Sequence, residues 1–151
     1  MITMKTKYAL KALALLASGP SGEPMLIADI AEREDIPKKF LEAILAELKQ
    51  HGFVRSRKGR GGGYLLARSP DTITLASIVR VLDGPIAPVP CLSRTAYRRC
   101  EGCKDEATCG VRLALREAHA ASVAVLESTT LADMVTRQQT ASSPAALRYS
   151  I

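Results

Sequence analysis

Residues 36–67 read IPKKFLEAILAELKQHGFVRSRKGRGGGYLLA, and this stretch decides the fold. Pro37 suits the first position of a helix, where its missing N–H costs nothing, and Gly52 supplies the end of that helix. Between them, apolar side chains follow the i, i+3, i+4, i+7 spacing of an amphipathic helix: Leu41, Ile44, Leu45 and Leu48. The pattern then changes to two short strand candidates, residues 53–57 and 64–67, around a glycine-rich tip. Two strands joined by glycines predict a hairpin.

A shorter helix is expected just before this stretch. Residues 26–32 place Ile27 and Ile30 on one face, and residues 33–36 form a tight turn into the next helix. Two helices joined by a tight turn predict a helix-turn-helix, and the hairpin beside them is its wing. The glycines of the tip could instead hold a nucleotide phosphate. That alternative fails because they lead into a strand and no Lys-Ser/Thr follows them.

The rest of the chain is predicted to be mainly helical. We expect a winged helix-turn-helix domain with a two-stranded wing over residues 1–84 and a cysteine-containing loop over residues 85–108. A long dimerisation helix with a short C-terminal helix follows over residues 109–135, and residues 136–151 are predicted to form a flexible tail. The long helix carries a seam that would let a second helix approach closely, formed by Val111, Leu115, Ala118, Ser122 and Val125. Packing within its own domain fits that spacing nearly as well.

Positive charge is concentrated in the fold-deciding stretch. Between Lys38 and Arg68 there are eight Lys and Arg residues against Glu42 and Glu47, a net +6 that equals the net charge of the 151-residue chain. Scattered basic residues usually form a solvated face, but concentration in one segment favours a polyanionic partner. Double-stranded DNA is the polyanion that suits a helix-turn-helix.

The side chains of this unit predict particular DNA contacts. Lys38 and Lys39 lie on the first turn of the recognition helix, which enters the major groove. Glu42, one turn further, could accept from a cytosine amino group or equally be an ordinary surface glutamate. Arg60 at the wing tip could enter the minor groove. The complete predicted set is Lys38, Lys39, Phe40, Glu42, Arg55, Arg57, Lys58 and Arg60.

The four cysteines of the chain fall within nineteen residues, as Cys91, Cys100, Cys103 and Cys109. Clustered thiolates can hold an iron–sulfur cluster, because soft sulfur donors suit iron. The same four could hold a structural zinc ion, and two of them suffice for a thiol–disulfide switch. Permanent disulfides do not suit a reducing cytoplasm. The residues alone leave the first three alternatives open.

Other functions are disfavoured by composition. His51 and His119 are the only histidines and neither belongs to a catalytic arrangement, so we predict that the protein is not an enzyme. No apolar stretch approaches the roughly 20 residues of a membrane-spanning helix. Residues 1–20 superficially resemble a secretory signal, but Lys11 interrupts their apolar run. We therefore expect a cytoplasmic protein with no membrane partner.

Several segments resemble the Rrf2 family of bacterial transcription regulators. They are KYAL at residues 7–10, IPKKFLE at 36–42, KGRGGGYLLA at 58–67 and ITL at 73–75. The resemblance covers roughly residues 1–134, and the glycine-rich wing behind the helix-turn-helix is its most specific part. It implies a homodimeric winged helix-turn-helix, crossed through a long helix, that binds a near-palindromic operator.

In many members, the resemblance also implies an iron–sulfur cluster held by three cysteines just before that helix. Residues 103–109 match the usual Cys-x5-Cys ending, and Cys91 occupies the place of the first ligand. Arg112 stands where some members have a ligand histidine, and Lys7 stands where others have an acidic ligand. Cys100 has no counterpart in the three-cysteine members and is the expected replacement.

Together these patterns predict a DNA-binding transcriptional regulator, a repressor or a dual regulator. Its cysteine loop is expected to hold an iron–sulfur cluster, either [2Fe–2S] or [4Fe–4S], that senses iron, redox state or nitric oxide. The alternative is the same DNA-binding homodimer without a cluster, regulated by zinc, by a thiol–disulfide switch or by a protein partner.

Overall fold

The computed structural model describes residues 2–143. Over this range the chain forms six α-helices and one two-stranded antiparallel sheet, the mainly α winged helix-turn-helix that was predicted. No helix in this range is long and apolar enough to cross a membrane. The elements are α1 (Met4–Ser18), α2 (Ile27–Glu34), α3 (Lys38–Gln50), β1 (Val54–Arg57), β2 (Gly63–Leu66), α4 (Leu75–Leu82), α5 (Gly110–Ser128) and α6 (Leu131–Ala141), with short 3-10 turns at Pro70–Thr72 and Pro90–Leu92.

The turn between α2 and α3 explains why these helices adopt the helix-turn-helix arrangement. Asp35 ends α2 in the left-handed region, at φ 51°, and the N–H of Ile36 then reaches back to the carbonyl of Ala31 at 2.9 Å. Pro37 is the N-cap of α3 rather than its first helical residue, so α3 begins one residue later than predicted. The predicted apolar face is the core face, because four side chains are at most 1% exposed: Leu41, Ile44, Leu45 and Leu48.

The last helix, α6, closes the core of the DNA-binding unit. Leu131 and Val135 are buried in the same core as α1 and α4. The N–H of Leu131 donates to the carbonyl of Ile73 at 2.8 Å, and the N–H of Leu75 donates to that of Thr129 at 2.9 Å. The sequence analysis placed this helix with α5, whereas its contacts place it in the winged-helix unit.

The helix α6 is also longer than predicted. Residues 136–141 complete it, so the prediction of a flexible tail starting at residue 136 is wrong for these six residues. A capping box starts the helix: the Thr130 hydroxyl accepts from the N–H of Asp133, and the Asp133 carboxylate accepts from the N–H of Thr130 at 2.8 Å. Residues 144–151 of the predicted tail lie outside the described residues.

Candidate DNA-binding surface and cysteine cavity

All eight predicted DNA-contacting side chains are exposed. Lys38 and Lys39 form the first turn of α3, and Glu42 follows one turn later, so the polar side of the recognition helix faces away from the core. Phe40 lies edge-on to Tyr8 of α1, with ring centroids 5.8 Å apart, and remains 44% exposed. It therefore fixes the start of α3 to α1 while keeping part of its ring available to a ligand.

The wing is a short two-stranded hairpin with basic side chains on its exposed surface. β1 and β2 pair in antiparallel register, with Arg55 opposite Leu65 and Arg57 opposite Gly63. Lys58 and the remaining residues of the tip connect the strands. Arg55, Arg57 and Lys58 are all exposed, so their charge can reach a phosphate backbone.

Glycines let the wing pack closely against the rest of the domain. A Cβ on Gly62 would lie 2.3 Å from the carbonyl oxygen of Arg57, and one on Gly63 would lie 2.3 Å from that of Met25. Met25 and Tyr64 exchange two backbone hydrogen bonds of 2.8 Å, which attach the wing to the segment before α2. The hairpin is therefore attached to the domain at the end of β2 that adjoins the tip.

The basic charge of this surface is not neutralised by carboxylates of residues 2–143. The salt bridges among residues 2–143 involve none of Lys38, Lys39, Arg55, Lys58 and Arg60. These cations therefore remain available to DNA phosphates.

The cysteine loop surrounds a cavity of about 450 Å³ at the N-terminal end of α5. All four cysteines line it. Cys91 comes from the 3-10 turn within the loop and is 6% exposed, whereas Cys100, Cys103 and Cys109 are partly exposed. The fold thus brings the whole predicted ligand set to the wall of one cavity.

Two of these thiols influence one another. Burial, and after it the neighbouring thiol of Cys100, raises the pKa of Cys91. The N–H of Cys103 donates to the carbonyl of Cys100 at 3.2 Å, which makes a turn between them. The guanidinium of Arg99 donates to the carbonyls of Cys103 (3.0 Å) and of the next residue (2.9 Å), so the turn is fixed from outside.

The metal-binding side chains of the described residues are not gathered around a single point. Within residues 2–143, no three Cys, His, Asp or Glu side chains lie close enough together to hold one metal ion. A structural zinc ion needs its sulfur ligands about 2.3 Å from one point. An iron–sulfur cluster holds its thiolates around a larger body of several atoms.

Two long-range contacts connect the cysteine loop to the helices. His119 of α5 is buried, and its Nε2 lies 2.9 Å from the carbonyl oxygen of Leu92, directly after the first cysteine. Near the end of α5, the carboxylate of Glu127 contacts Arg80 of α4 and, at 3.6 Å, Nη1 of Arg94 in the loop. Sequence reasoning missed both contacts, because the partners, Leu92 with His119 and Arg94 with Glu127, are far apart in the chain and follow no repeat.

The long helix leaves an apolar face uncovered. Only His119 and Val123 of α5 are buried, whereas Val111 is 60% and Val125 is 58% exposed. Both exposed valines belong to the predicted dimerisation seam. At 19 residues, α5 is about 28 Å long, enough to cross a second helix of similar length.

An exposed basic recognition helix beside a basic wing defines a winged helix-turn-helix transcriptional regulator. Comparison with known families identifies the group within this class. The chain belongs to the Rrf2 family, whose profile, described as an iron-dependent transcriptional regulator, matches residues 2–137. As predicted, it belongs to a family of regulators and not of enzymes.

Similar proteins support this assignment over most of the chain. An rrf2-like HTH-type transcriptional regulator of Rhodobacter capsulatus is 46% identical over 138 residues, covering 89% of this chain and 92% of that protein. The structure of CymR, the global cysteine regulator of B. subtilis, matches with a TM-score of 0.76 and 32% identity over 91% of this chain and 97% of CymR. The structure of T. potens IscR matches with a TM-score of 0.72 and 29% identity over 99% and 96%. These structures confirm the winged-helix fold.

Proposed function

We propose that the protein is a transcriptional repressor whose affinity for its operator depends on an iron–sulfur cluster. The ligands are the four cysteines of the cavity, Cys91, Cys100, Cys103 and Cys109. The observation that carries this proposal is the convergence of all four on one cavity at the start of α5. Four thiolates would complete the ligand set within one chain, without a histidine or carboxylate from elsewhere.

The bound cluster would supply a redox-active group that responds to iron supply, oxidants or nitric oxide. The chain supplies the connection to DNA. The carbonyl of Leu92, beside the first cysteine, is held by His119, and Arg94 is held by Glu127. A change in the cysteine loop would therefore act on both the middle and the end of α5, and through Arg80 on α4.

We infer that α5 pairs with the same helix of a second copy. The exposed valines Val111 and Val125 on its uncovered face favour such contact. A two-fold dimer would present two α3 helices and two wings to successive turns of DNA, and its operator would be near-palindromic. A shift of α5 would then change the spacing of the two recognition helices.

A thiol–disulfide switch is the second candidate, because Cys91 and Cys100 line the same cavity and the Cys100 thiol is near enough to raise the pKa of Cys91. Oxidation of this pair by a peroxide would form one S–S bond. The two thiol protons and two electrons would reduce an organic peroxide to an alcohol and water, or hydrogen peroxide to two waters. The loop would then be regulated without a metal.

Anaerobic purification of the full chain tests the cluster. After reconstitution with ferrous iron and sulfide, we expect bound iron, labile sulfide and visible absorption, and each Cys→Ser change should lower the bound iron. Ala107→Ser, at an exposed position of the same loop, is the matched control. A colourless protein without iron contradicts the cluster, and a Cys91–Cys100 disulfide formed by peroxide would then support the second candidate.

DNA binding should be measured on the same samples. A duplex selected from random sequences by the wild-type protein serves as the operator, and fluorescence anisotropy gives its affinity for the cluster-loaded and cluster-free protein. We expect the two forms to differ by at least fivefold, the lower end of typical coupling between sites. Equal affinities would show that the cluster does not regulate binding.

A further inference from the structure

We infer that Arg112 donates a hydrogen bond to the group held in the cysteine cavity and thereby raises its reduction potential. The inference rests on the proposed function of the cavity. It adds a positioning and tuning residue that does not itself bind iron.

The first observation is an arginine without an acceptor. Arg112 lines the cavity together with the four cysteines. Its Nε is buried, and among residues 2–143 it has no hydrogen-bond partner, nor does Arg112 form a salt bridge there. A buried donor left without an acceptor costs about 1–3 kcal/mol, and more when the group is charged. An occupant of the adjoining cavity could remove this cost by accepting from Nε.

Arg80 provides an internal comparison. Its Nε is also buried without a partner, but its Nη2 is paired with the carboxylate of Glu127 on α5. The charge of Arg80 is thus compensated inside the chain, whereas no carboxylate compensates Arg112 within the described residues. What distinguishes the arginine at the cavity is therefore its uncompensated charge, and not the unpaired Nε that both arginines share.

The second observation is the position of Arg112 in its helix. It lies in the first turn of α5, where the helix dipole places partial positive charge and a cation is unfavourable. That turn contains no acidic residue, and the side chain of the N-cap, Cys109, makes no capping hydrogen bond. Two positive features therefore meet at the edge of the cavity, which suits an anionic occupant.

A cluster with four thiolate ligands has this character. Its thiolates outweigh the charge of the iron–sulfide core, and one-electron reduction adds a further negative charge. Hydrogen bonds to its sulfur atoms and nearby positive charge stabilise the reduced state more than the oxidised state. Arginine stays protonated at any physiological pH, so Arg112 would act as a fixed donor and not as a ligand.

The test is the reduction potential of the reconstituted full-length protein, titrated with dithionite in the presence of mediators and followed by absorption. For Arg112→Gln we expect the equilibrium constant for reduction to fall about tenfold, equivalent to about 59 mV for one electron. Arg112→Lys keeps the charge but loses the planar guanidinium, and we expect a smaller decrease. Arg116→Gln removes an exposed arginine of the same helix and should leave the potential unchanged.

The outcomes separate this inference from the proposed function. If wild-type protein binds a cluster but Arg112→Gln has the potential of Arg116→Gln, the inference is wrong and the proposed function stands. If wild-type protein binds no cluster, the proposed function fails and the inference fails with it. If Arg112→Gln does not fold, as judged by circular dichroism, Arg112→Lys decides: a potential equal to wild type refutes the hydrogen bond, and a lower potential supports it.

Discussion

Single side chains on the DNA-binding surface are expected to act in different ways. Lys58 is exposed on the wing and is predicted to contact phosphate, which carries no sequence information. Lys58→Ala should therefore weaken binding to selected and random duplexes by the same factor. It should also reduce the slope of log affinity against log salt by about 1. Anisotropy titrations at several salt concentrations measure both quantities, and Arg137→Ala on α6, an exposed arginine away from the wing, is the control.

Glu42 is predicted to discriminate between sequences rather than to add affinity. It lies one turn after Lys38 on the exposed side of α3 and could accept from a cytosine amino group. Glu42→Ala should relax the preference at one base-pair position in each half-site, by about 1–3 kcal/mol. Selection of duplexes with the variant would reveal the position. Equal changes in affinity for selected and random DNA would contradict this role and make Glu42 an ordinary surface residue.

At the scale of elements, the capping box of α6 should make stability depend on pH. The backbone N–H and the hydroxyl of Thr130 donate to Asp133 and lower the pKa of its carboxyl group. Because the folded pKa lies below the unfolded value of about 3.9, the ionised carboxylate stabilises the fold above that value. This contribution is lost as the pH falls through the folded pKa. Asp133→Ala should therefore be less stable than wild type at pH 7, and the difference should shrink at acidic pH.

Urea unfolding at a series of pH values measures this difference. Thr130→Ala removes the other half of the box and should cost about 1 kcal/mol at pH 7. Glu117→Ala, an exposed acidic residue of α5, is the control for general charge effects. A deficit for Asp133→Ala that stays constant from neutral to acidic pH would show that the ionised carboxylate is not what the cap requires.

The elements differ in how far their sequences predict them. α3 and the wing are specified locally, by a complete apolar repeat and by glycines at a tip, and both were predicted within about one residue. α6 was predicted too short because its second half, residues 136–141, is polar and exposed and has no apolar repeat. Its start was predictable, since Thr130 and Asp133 have the spacing of a capping box.

The candidate site likewise has one part that the sequence predicts and one part that it does not. The four cysteines could be grouped from their spacing. The buried Nε of Arg112, the contact between His119 and Leu92 and the ion pairs of Glu127 could not be predicted from it. These features depend on how α5 packs against the loop and against α4, which is a tertiary property. Sequence therefore located the proposed ligands but not the residues that connect them to the fold.

The ion pairs of Glu127 connect three parts of the fold: α5, α4 and the cysteine loop. Glu127→Gln removes the charge that holds Arg80 of α4 and Arg94 of the cysteine loop. We expect the variant to fold. The ratio of operator affinities between cluster-loaded and cluster-free protein should become about fivefold closer to one, a change within the range of typical coupling energies. Glu117→Gln on the same helix is the control. An unchanged ratio would show that the loop acts on DNA binding by another path.

At the scale of the whole molecule, one copy of the chain leaves two features without a partner. The exposed seam of α5 has no covering element among residues 2–143, and a single α3 would read only one half of the proposed two-fold operator. The cysteine cavity lies at one end of the same helix. Pairing through α5 would therefore place each cavity next to the element that sets the spacing of the two DNA-binding units.

This arrangement predicts that a charge on the seam separates the copies. Val125 is 58% exposed in one chain, and a carboxylate there would be buried against its counterpart in a dimer, at a cost that association cannot offset. We expect wild-type protein to have twice the chain mass of 16.2 kDa and Val125→Glu to have that mass once, by light scattering on a sizing column. Ala120→Glu adds the same charge to the opposite side of α5 and should remain a dimer.

Val125→Glu should also bind a single half-site as well as wild type does but lose the advantage of the full operator. A dimeric Val125→Glu would place the contact between copies elsewhere, and the cysteine loop would then have to act on DNA binding within a single chain.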